Sequence, residues 1–243
     1  MLKRLTLILF IMALIFISTG CSAGPNTPID KNNGIWDRYF VYPLSASLDF
    51  FADLLFGNYG LSIIIVTILI RFLVLPLMIT QIKSQKAMQQ LQPEMQKIRD
   101  KFKDNSQKIQ EETMKLFQKH NVNPLSGCLP ILIQMPILIA FYHAIMRNTH
   151  IAESSFLWLQ LGSPDPFFIL PILAAITTYL QTKMMGTGAS MSPQAAQQQK
   201  IMMYFMPAMI LFFSLQFASA LALYWVIGNI FTIIQTKFVQ GIK

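Results

Sequence analysis

Arg71 is the charged residue of a long apolar run that extends from about Tyr59 to Gln81. A charged side chain at the centre of a membrane helix costs about 2.5–3.5 kcal/mol on insertion scales, so it requires compensation. A carboxylate in a neighbouring helix would be the simplest partner, yet the other long apolar segments contain no Asp or Glu. We therefore expect Arg71 to contact water, backbone carbonyls or neutral polar groups.

Snorkelling of the Arg71 side chain to the membrane surface is the alternative. Lys83, the first charged residue beyond the run, lies 12 positions further along (83 − 71 = 12). At a rise of 1.5 Å per residue this separation is roughly 18 Å, which is beyond the reach of one side chain. A water-filled cavity around Arg71 is the better explanation.

Polar side chains in the other apolar segments could form the walls of this cavity. The residues that we expect to do so are Thr67, Gln134, Thr177, Thr178, Gln181, Trp225, Asn229 and Thr232. The last three, together with Thr236, follow i, i+4, i+7 and i+11 spacing and so share one helix face. For any single threonine, an interhelical hydrogen bond worth about 0.6 kcal/mol is the simpler interpretation. Several amides near an unpaired arginine favour a hydrated groove.

Bond-breaking chemistry has no support in the residue pattern. The sequence contains no Gly-x-x-x-x-Gly-Lys-Ser/Thr phosphate loop, no His-Glu-x-x-His and no Gly-x-Ser-x-Gly. His143 is the one candidate base in the apolar segments, and it has no evident serine partner. Cys21, Cys128, His120 and His150 lack metal-ligand spacing. We expect no catalytic residue, no metal site and no cofactor.

The composition is typical of an integral membrane protein. Hydrophobic residues make up 53% of the chain and charged residues 12%, about half the charged share of a soluble domain. Its 243 residues allow about five spanning helices of roughly 20 residues each. The expected fold is all-α, with five transmembrane helices at about 59–81, 125–146, 167–182, 201–215 and 220–238. These helices and their loops form one core over residues 58–243.

The distribution of basic residues predicts the orientation of the chain. Nine of them lie between the first two spans, and four more on the same side bring the number to thirteen: Lys183, Lys200, Lys237 and Lys243. The other side of the mature chain carries three, Lys31, Arg38 and Arg147. Since cytoplasmic loops are enriched in Lys and Arg, we expect an outer N-terminus and a cytoplasmic C-terminus. The net charge of +8 then reflects topology rather than nucleic-acid binding.

Residues 83–123 are expected to form a cytoplasmic helical hairpin. A seam of apolar residues with 3-4-3-4 spacing runs along the first half: Met88, Leu91, Met95, Ile98 and Phe102. Asp104-Asn105-Ser106 interrupts the pattern, and a weaker seam follows it. This stripe favours packing of the hairpin on itself, with a groove for a partner as the alternative.

The N-terminus has the features of a processing signal. Lys3 and Arg4 precede an apolar run over residues 5–17, and Ser18-Thr19-Gly20 leads into Cys21. This arrangement resembles a bacterial lipobox, so we expect residues 1–20 to be a signal peptide and Cys21 to be lipidated on the outer side. A plain signal peptide with an incidental cysteine is the alternative.

Residues 21–57 are expected to form an extracellular linker followed by an amphipathic helix. The helix is indicated by Leu44, Leu48, Phe51 and Leu55, which recur at helical spacing. Such a helix can lie on the outer membrane surface. A helix packed against the rest of the protein is an equally good interpretation.

A positively charged groove that contains no acid suits a polar segment of another polypeptide on its way across the bilayer. Water and hydrogen-bond partners halfway through the membrane shorten the hydrocarbon still to be crossed. The apolar part of the segment can then leave sideways into lipid, driven by its own burial. This step needs no nucleotide hydrolysis.

Three separated motifs resemble those of YidC-type membrane protein insertases. The stretch from Asn123 to Pro136 resembles their second-span signature, and Leu223-Tyr224-Trp225-Val226-Ile227-Gly228-Asn229 resembles their fifth-span signature. Arg71 ahead of Pro76, and Gln81-Ile82-Lys83-Ser84-Gln85 where the hairpin begins, also match. The lipobox, without a large outer domain, resembles the short form of Gram-positive bacteria.

The resemblance extends from about Trp36 to the C-terminus, and it implies a non-enzymatic insertase that works alone or beside the Sec translocon. It assigns the groove arginine to Arg71 and groove contacts to Gln181 and Trp225. The implied partners are nascent membrane proteins, membrane lipids, the Sec translocon, and the ribosome or signal recognition machinery at the hairpin. Nucleic acid is not among them.

Two other functions remain open from the residues alone. A small-solute transporter or channel would have internal repeats or paired broken helices, and the sequence contains neither. The large charged hairpin does not fit that class. A non-catalytic scaffold for membrane-protein assembly would tolerate the loss of Arg71.

Overall fold

The computed structural model describes residues 27–241 except 33, 104, 121, 123–128 and 187–192. The predicted signal peptide, Cys21 and Cys128 lie outside the described residues. The described elements, in chain order, are α1 (Gly34–Trp36), a π-helical segment (Asp37–Val41), α2 (Tyr42–Leu54), α3 (Tyr59–Gln90), α4 (Gln92–Lys101), α5 (Ser106–Lys119), α6 (Leu129–Arg147), α7 (Thr149–Glu153), β1 (Ser155–Phe156), β2 (Leu159–Gln160), α8 (Ile169–Gly186), α9 (Pro193–Ser214) and α10 (Ser219–Gly241).

Helices α3, α6, α8, α9 and α10 pack into a bundle. α8 contacts both α9 and α10, and α10 also contacts α3. Phe141 on α6 stacks on Tyr224 on α10 with ring centroids 4.1 Å apart, and both residues are buried. α8 leaves a second apolar stripe uncovered, formed by Ile169, Ile172, Leu173, Ile176 and Leu180. A helix that is apolar on its uncovered face is expected where lipid replaces water.

Two helices in the described part of the chain are long and apolar enough to cross a bilayer. They are α3 and the segment Ser219–Val239 of α10. The apolar stretch Lys200–Ser214 of α9 is shorter. The sequence predicts five spans, and length and composition support these two.

Helix α3 is longer than the sequence suggests. Asn58 caps its N-terminus, accepting a hydrogen bond from the Leu61 backbone N–H at 3.0 Å. The apolar run ends near Gln81, yet the helix continues without a break to Gln90. It ends at Gln90, with Leu91 as the capping residue, because Pro93 lacks an N–H and its ring would clash with the carbonyl four residues earlier. The predicted span and the start of the predicted hairpin are therefore one helix.

Helices α4 and α5 pack on each other beyond that break. Leu91, Leu116 and Phe117 are buried together, and four partly buried residues pack against them: Met88, Met95, Ile98 and Val122. Four of the five seam residues predicted from the sequence belong to this cluster, whereas Phe102 lies at the turn under the ammonium groups of Lys101 and Lys108. On the surface of α5, a hydrogen bond from Lys115 holds the pKa of Glu111 below its usual range.

Replacing Phe117 with alanine is expected to open this helix pair while leaving the bundle folded. The cluster is small and separate from the bundle core, so the loss of one aromatic ring removes a large part of its buried area. Limited trypsin digestion in detergent should cleave residues 92–119 roughly tenfold faster, since cleavage follows the population of the open form. Met114→Ala, at a half-exposed position on the same helix, is the control and should be cleaved like the wild type.

At the opposite end of the bundle, α2 packs on α3 and α6. Leu44 and Leu48 are buried there, and Ser62 donates a hydrogen bond to the Leu48 carbonyl at 2.6 Å. Asn148 donates to Ser45 Oγ at 3.0 Å and to Asp49 Oδ1 at 2.8 Å. The predicted helix is present, and its leucine face is covered by the protein.

The segment from Arg147 to Pro166 contains structure that the sequence did not predict. It was expected to be a loop, but it holds α7 and a hairpin in which Ser155 pairs with Gln160 and Phe156 with Leu159. The Phe156 ring packs against Gly60, where a Cβ atom would have no room. Strands of two residues carry too little alternation to be recognised in a sequence.

Arg147 also differs from the expectation. It was expected to lie in an outer loop, yet it is the last residue of α6 and its side chain is buried in an ion pair with Asp37. It also donates to the carbonyls of Thr27 and Pro28, at 2.9 Å each. The N-terminal segment of the described chain is thereby fastened to the bundle.

Candidate functional site

A cavity of about 280 Å³ lies between the five bundle helices. Most of its polar lining comes from α3, α8 and α10, and its lining from α9 consists of methionines. The lining residues are Arg71, Met78, Gln81, Ile82, Gln134, Met135, Leu138, Thr178, Gln181, Thr182, Met185, Met202, Met206, Trp225, Asn229, Thr232, Gln235 and Thr236. One wall is polar and the other is apolar, so the cavity is amphipathic.

Among the cavity residues of α3, Arg71 lies farthest along the helix from α4 and α5. It also borders a second void of about 10 Å³, which is lined by Thr67, Gln134 and Tyr224 among others. This volume is close to the minimum for one water molecule. Within the described part of the chain, Arg71 makes no ion pair. Its guanidinium therefore keeps its charge available to the cavity.

Gly228 on α10 allows this placement of Arg71. A Cβ atom at Gly228 would lie 3.1 Å from Arg71 Cζ and 3.2 Å from Nε. Such distances are too short for a relaxed contact, so any larger residue would displace the guanidinium. Close by, Gln134 Nε2 donates to the Tyr224 hydroxyl at 2.5 Å, which links α6 to α10 beside the arginine.

A hydrogen-bond network joins α8 to α10 along the polar wall. Trp225 Nε1 donates to Thr178 Oγ1 at 3.0 Å. With its nitrogen toward Gln181, the Asn229 amide donates to Gln181 Oε1 at 2.6 Å, and its oxygen accepts from Thr177 and Thr178 at 3.1 and 2.9 Å. This orientation satisfies both ends of the amide. The network fixes the polar wall in one arrangement.

The structure brings together most of the residues selected from the sequence. Seven of them line the main cavity: Arg71, Gln134, Thr178, Gln181, Trp225, Asn229 and Thr232. Thr67 borders the small void, and its hydroxyl donates to the Ile63 carbonyl at 2.6 Å. Thr177 does not line either space and lies behind Asn229. For Thr177, the interhelical hydrogen bond is the interpretation that fits.

Sequence reasoning missed several residues that line the two cavities or lie beside Arg71. Tyr224 and Gly228 lie inside the fifth-span motif that pointed to the family. The motif could therefore have identified both residues as parts of the site. Gln81 lies in the motif that opens the predicted hairpin. The cavity methionines could not be recognised in the sequence, because it does not show which face of a helix each methionine occupies.

This arrangement supplies groups that can bind a ligand without covalent chemistry. It supplies one permanent positive charge, several amides and hydroxyls, and a flexible apolar wall. An arginine of this kind can hold a carboxylate or a backbone carbonyl by charge-assisted hydrogen bonds. Groups of three or more His, Cys, Asp or Glu residues that could hold a metal ion do not occur among the described residues.

Comparison with known proteins gives consistent matches. A family model described as 60Kd inner membrane protein matches residues 50–243. Membrane protein insertase YidC 2 of Bacillus anthracis is 53% identical over 245 residues, which cover 98% of this chain and 94% of that relative. Membrane protein insertase MisCA of Bacillus subtilis (strain 168) is 52% identical, over 98% of this chain and 92% of that protein.

A solved structure supports the same relationship. It is described as an active YidC insertase crystal structure with the first transmembrane domain resolved, and it matches with a TM-score of 0.63 and 28% sequence identity. The match covers 83% of this chain and 46% of that chain, so this protein spans about half of the solved one. From its matched length and its identity to these relatives, the chain belongs to the 60Kd inner membrane protein family, as a YidC-type member of the Gram-positive form.

Proposed function

We propose that this chain is a membrane protein insertase that receives hydrophobic segments of newly made proteins in the cavity and releases them into the bilayer. The observation that carries the proposal is Arg71, a partly buried cation without an acidic partner among the described residues, in the lining of an amphipathic cavity. The relatives named as insertases support it, since they match nearly the full chain. No enzymatic step and no cofactor is part of the proposal.

The cavity extends from Arg71 toward the end of the bundle where α4 and α5 lie. Along α3 its lining runs from Arg71 to Ile82, about 16 Å at 1.5 Å per residue. We place α4 and α5 in the cytoplasm, so that the cavity is a groove open to the cytoplasm and to lipid. The groove is then hydrated to about half the depth of the bilayer, whose hydrocarbon is roughly 30 Å thick.

The proposed mechanism uses the two walls for different parts of the substrate. A polar or acidic tail enters the hydrated groove, where Arg71 attracts carboxylates and where Gln134, Gln181 and Asn229 offer hydrogen bonds. The adjacent apolar segment contacts the methionine wall. Moving that segment sideways into lipid buries apolar surface, which supplies the driving force. The tail then crosses the thinner remaining layer.

The proposed membrane topology rests on the distribution of basic residues along the chain. We propose five spans with the N-terminus outside and the C-terminus in the cytoplasm, and a lipid anchor at Cys21 after removal of residues 1–20. The exposed basic surface of α4 and α5 is the proposed contact for the ribosome or signal recognition machinery. The chain would work alone or beside the Sec translocon.

The deciding experiment is insertion in proteoliposomes of a single-span substrate with an acidic N-terminal tail. Arg71→Ala is expected to lower the insertion rate about tenfold, equivalent to about 1.4 kcal/mol of lost attraction. A substrate with a neutral tail should lose much less. Arg71→Lys should retain more activity than Arg71→Ala if charge is the main contribution, whereas equal losses would mean that the fork geometry of the guanidinium matters more.

Lys83→Ala is the matched control, because Lys83 is an exposed cation on the same helix outside the cavity lining. It should insert both substrates like the wild type. If Arg71→Ala inserts the acidic-tailed substrate at the wild-type rate, the charged-groove mechanism is wrong. That result would favour a scaffold function instead.

A further inference from the structure

Three bulky apolar residues hold a left-handed backbone conformation in separate loops. Their φ angles are 57° for Phe56, 57° for Leu157 and 59° for Phe168. A residue with a large side chain rarely adopts this conformation, which glycine and asparagine occupy with less strain. All three side chains are also exposed, by 103%, 75% and 53% respectively. In water, neither the backbone nor burial would favour these residues at these positions.

The hairpin that carries Leu157 and the residues that follow it are held by contacts with two helices of the bundle. The hairpin with Leu157 at its turn is held to α3 by the contact of Phe156 with Gly60. The residues after it are joined to the start of α10, where Ser219 N–H donates to the Ser163 carbonyl at 2.7 Å and Ala220 N–H to the Leu161 carbonyl at 3.1 Å. The exposed side chains are thus presented by a fixed framework.

The two segments that carry the three residues contain almost no charge. Residues 54–59 have no charged residue, and residues 154–168 contain one, Asp165. Asp165 is buried, and its carboxylate accepts hydrogen bonds from Trp158 Nε1 at 3.2 Å and from the Leu170 backbone N–H at 2.7 Å. The exposed carboxylates of Asp53 and Glu153 directly precede these two segments, so the tips themselves would carry no free charge into an apolar medium.

The three tips continue the apolar surface of the bundle. Phe168 directly precedes α8, and the uncovered apolar stripe of that helix begins at Ile169. Phe56 lies three residues before α3 begins at Tyr59 (59 − 56 = 3). Leu157 is followed by Trp158, which is 40% exposed and has its indole N–H bonded. Tryptophan with one apolar and one satisfied polar side is typical of the membrane interface.

We propose that Phe56, Leu157 and Phe168 insert into the outer leaflet, at the boundary between headgroups and acyl chains, and fix the depth of the bundle in the bilayer. The ligand is the lipid surface itself, and no single lipid species is required. The inference rests on the membrane placement in the proposed function. It does not depend on insertase activity, so the two can fail separately.

The test measures the depth of added tryptophans in vesicles that contain brominated phosphatidylcholine. Phe56→Trp and Leu157→Trp are compared with the parent protein, whose own tryptophan emission is subtracted. Lipid brominated near the top of the acyl chain is expected to quench roughly half of the added emission, as for a side chain at the headgroup boundary. Lipid brominated near the chain end should quench it less.

Two control sites frame the measurement. Leu73→Trp, at a 79% exposed position on α3, should be quenched most by the deep label. Glu153→Trp, at an exposed polar position on the same end of the bundle as the tips, should be quenched by aqueous iodide and not by lipid.

If Leu73→Trp is quenched and the tip variants are not, the outer-leaflet proposal is overturned while the membrane placement stands. If Leu73→Trp is unquenched, both are wrong. Lipid quenching of Glu153→Trp equal to that of the tips would also overturn selective insertion.

The triple variant F56N/L157N/F168N gives a second, independent readout. Asparagine tolerates the left-handed conformation, so the protein should unfold in detergent at a temperature no lower than that of the wild type. In vesicles, the shallow lipid label should quench the native Trp158 less than in the wild type. Unchanged Trp158 quenching would contradict a role of these side chains in setting depth.

Discussion

Replacing Arg147 with alanine is expected to destabilise the protein by about 3–5 kcal/mol, since it leaves the Asp37 carboxylate buried without its partner. The Arg147 side chain is 0% exposed and that of Asp37 3% exposed. The guanidinium donates to both carboxylate oxygens, with Nη1 at 2.8 Å from Oδ1, and also to the carbonyls of Thr27 and Pro28. All of these acceptors lose a charged donor in the variant.

The free energy of unfolding, measured by SDS titration in detergent micelles, tests this prediction. Asp37→Ala should cost a similar amount, since it leaves the guanidinium unpaired. The double variant Asp37→Leu/Arg147→Met should recover most of the loss, because an apolar pair of similar volume avoids a buried lone charge. Arg38→Ala, at an exposed position next to Asp37, is the control and should unfold like the wild type. An Arg147→Ala protein as stable as the Arg38→Ala protein would mean that water reaches the pair.

Gly228→Ala is expected to reduce insertion of an acidic-tailed substrate nearly as much as Arg71→Ala does. The added Cβ atom would lie 3.1 Å from Arg71 Cζ, and the arginine side chain is flexible enough to move away. The cost in folding free energy should therefore be small, at most about 1–3 kcal/mol for an overpacked site. The loss of function comes from the changed position of the charge.

Gly241→Ala is the matched control, because nothing lies within 4 Å of a Cβ atom at that position. Insertion rates in proteoliposomes and unfolding in detergent are measured for both variants. Normal insertion by Gly228→Ala, together with strong inhibition in Arg71→Ala, would show that the charge is needed but its position is not. Weak inhibition in both would contradict the charged-groove mechanism itself.

Local rules were enough to predict a mostly helical chain and to single out Arg71. Long apolar runs specify helices whatever their partners, and a lone arginine in such a run demands a polar environment. The boundaries were less predictable. α3 continues nine residues past Gln81 (90 − 81 = 9), because no proline or glycine lies between Gln81 and Pro93.

Contacts between distant parts of the chain could not be predicted from the sequence. Asp37 and Arg147 are 110 positions apart, and each is an ordinary charged residue in its local sequence. The role of Tyr224 depends on which face of α10 meets α6, and the hydropathy of an all-apolar helix does not specify that face. Likewise, the neighbouring residues Thr177 and Thr178 were both expected to line the groove. In the structure both contact Asn229, but only Thr178 of the two also lines the cavity.

The length of α3 has a consequence for the position of Arg71. Its 32 residues form one continuous helix about 48 Å long, which is longer than the hydrocarbon layer of the membrane that it would cross. Arg71 and Gln89 are 18 residues apart (89 − 71 = 18), which is about five full turns, so they lie on the same side of the helix. Gln89 Nε2 donates to the Met185 carbonyl on α8 at 2.7 Å, which joins the two helices near the end of α3. One helix therefore connects Arg71 in the cavity wall with the contact to α8 near α4, so the helix itself sets the depth of the charge relative to that end of the bundle.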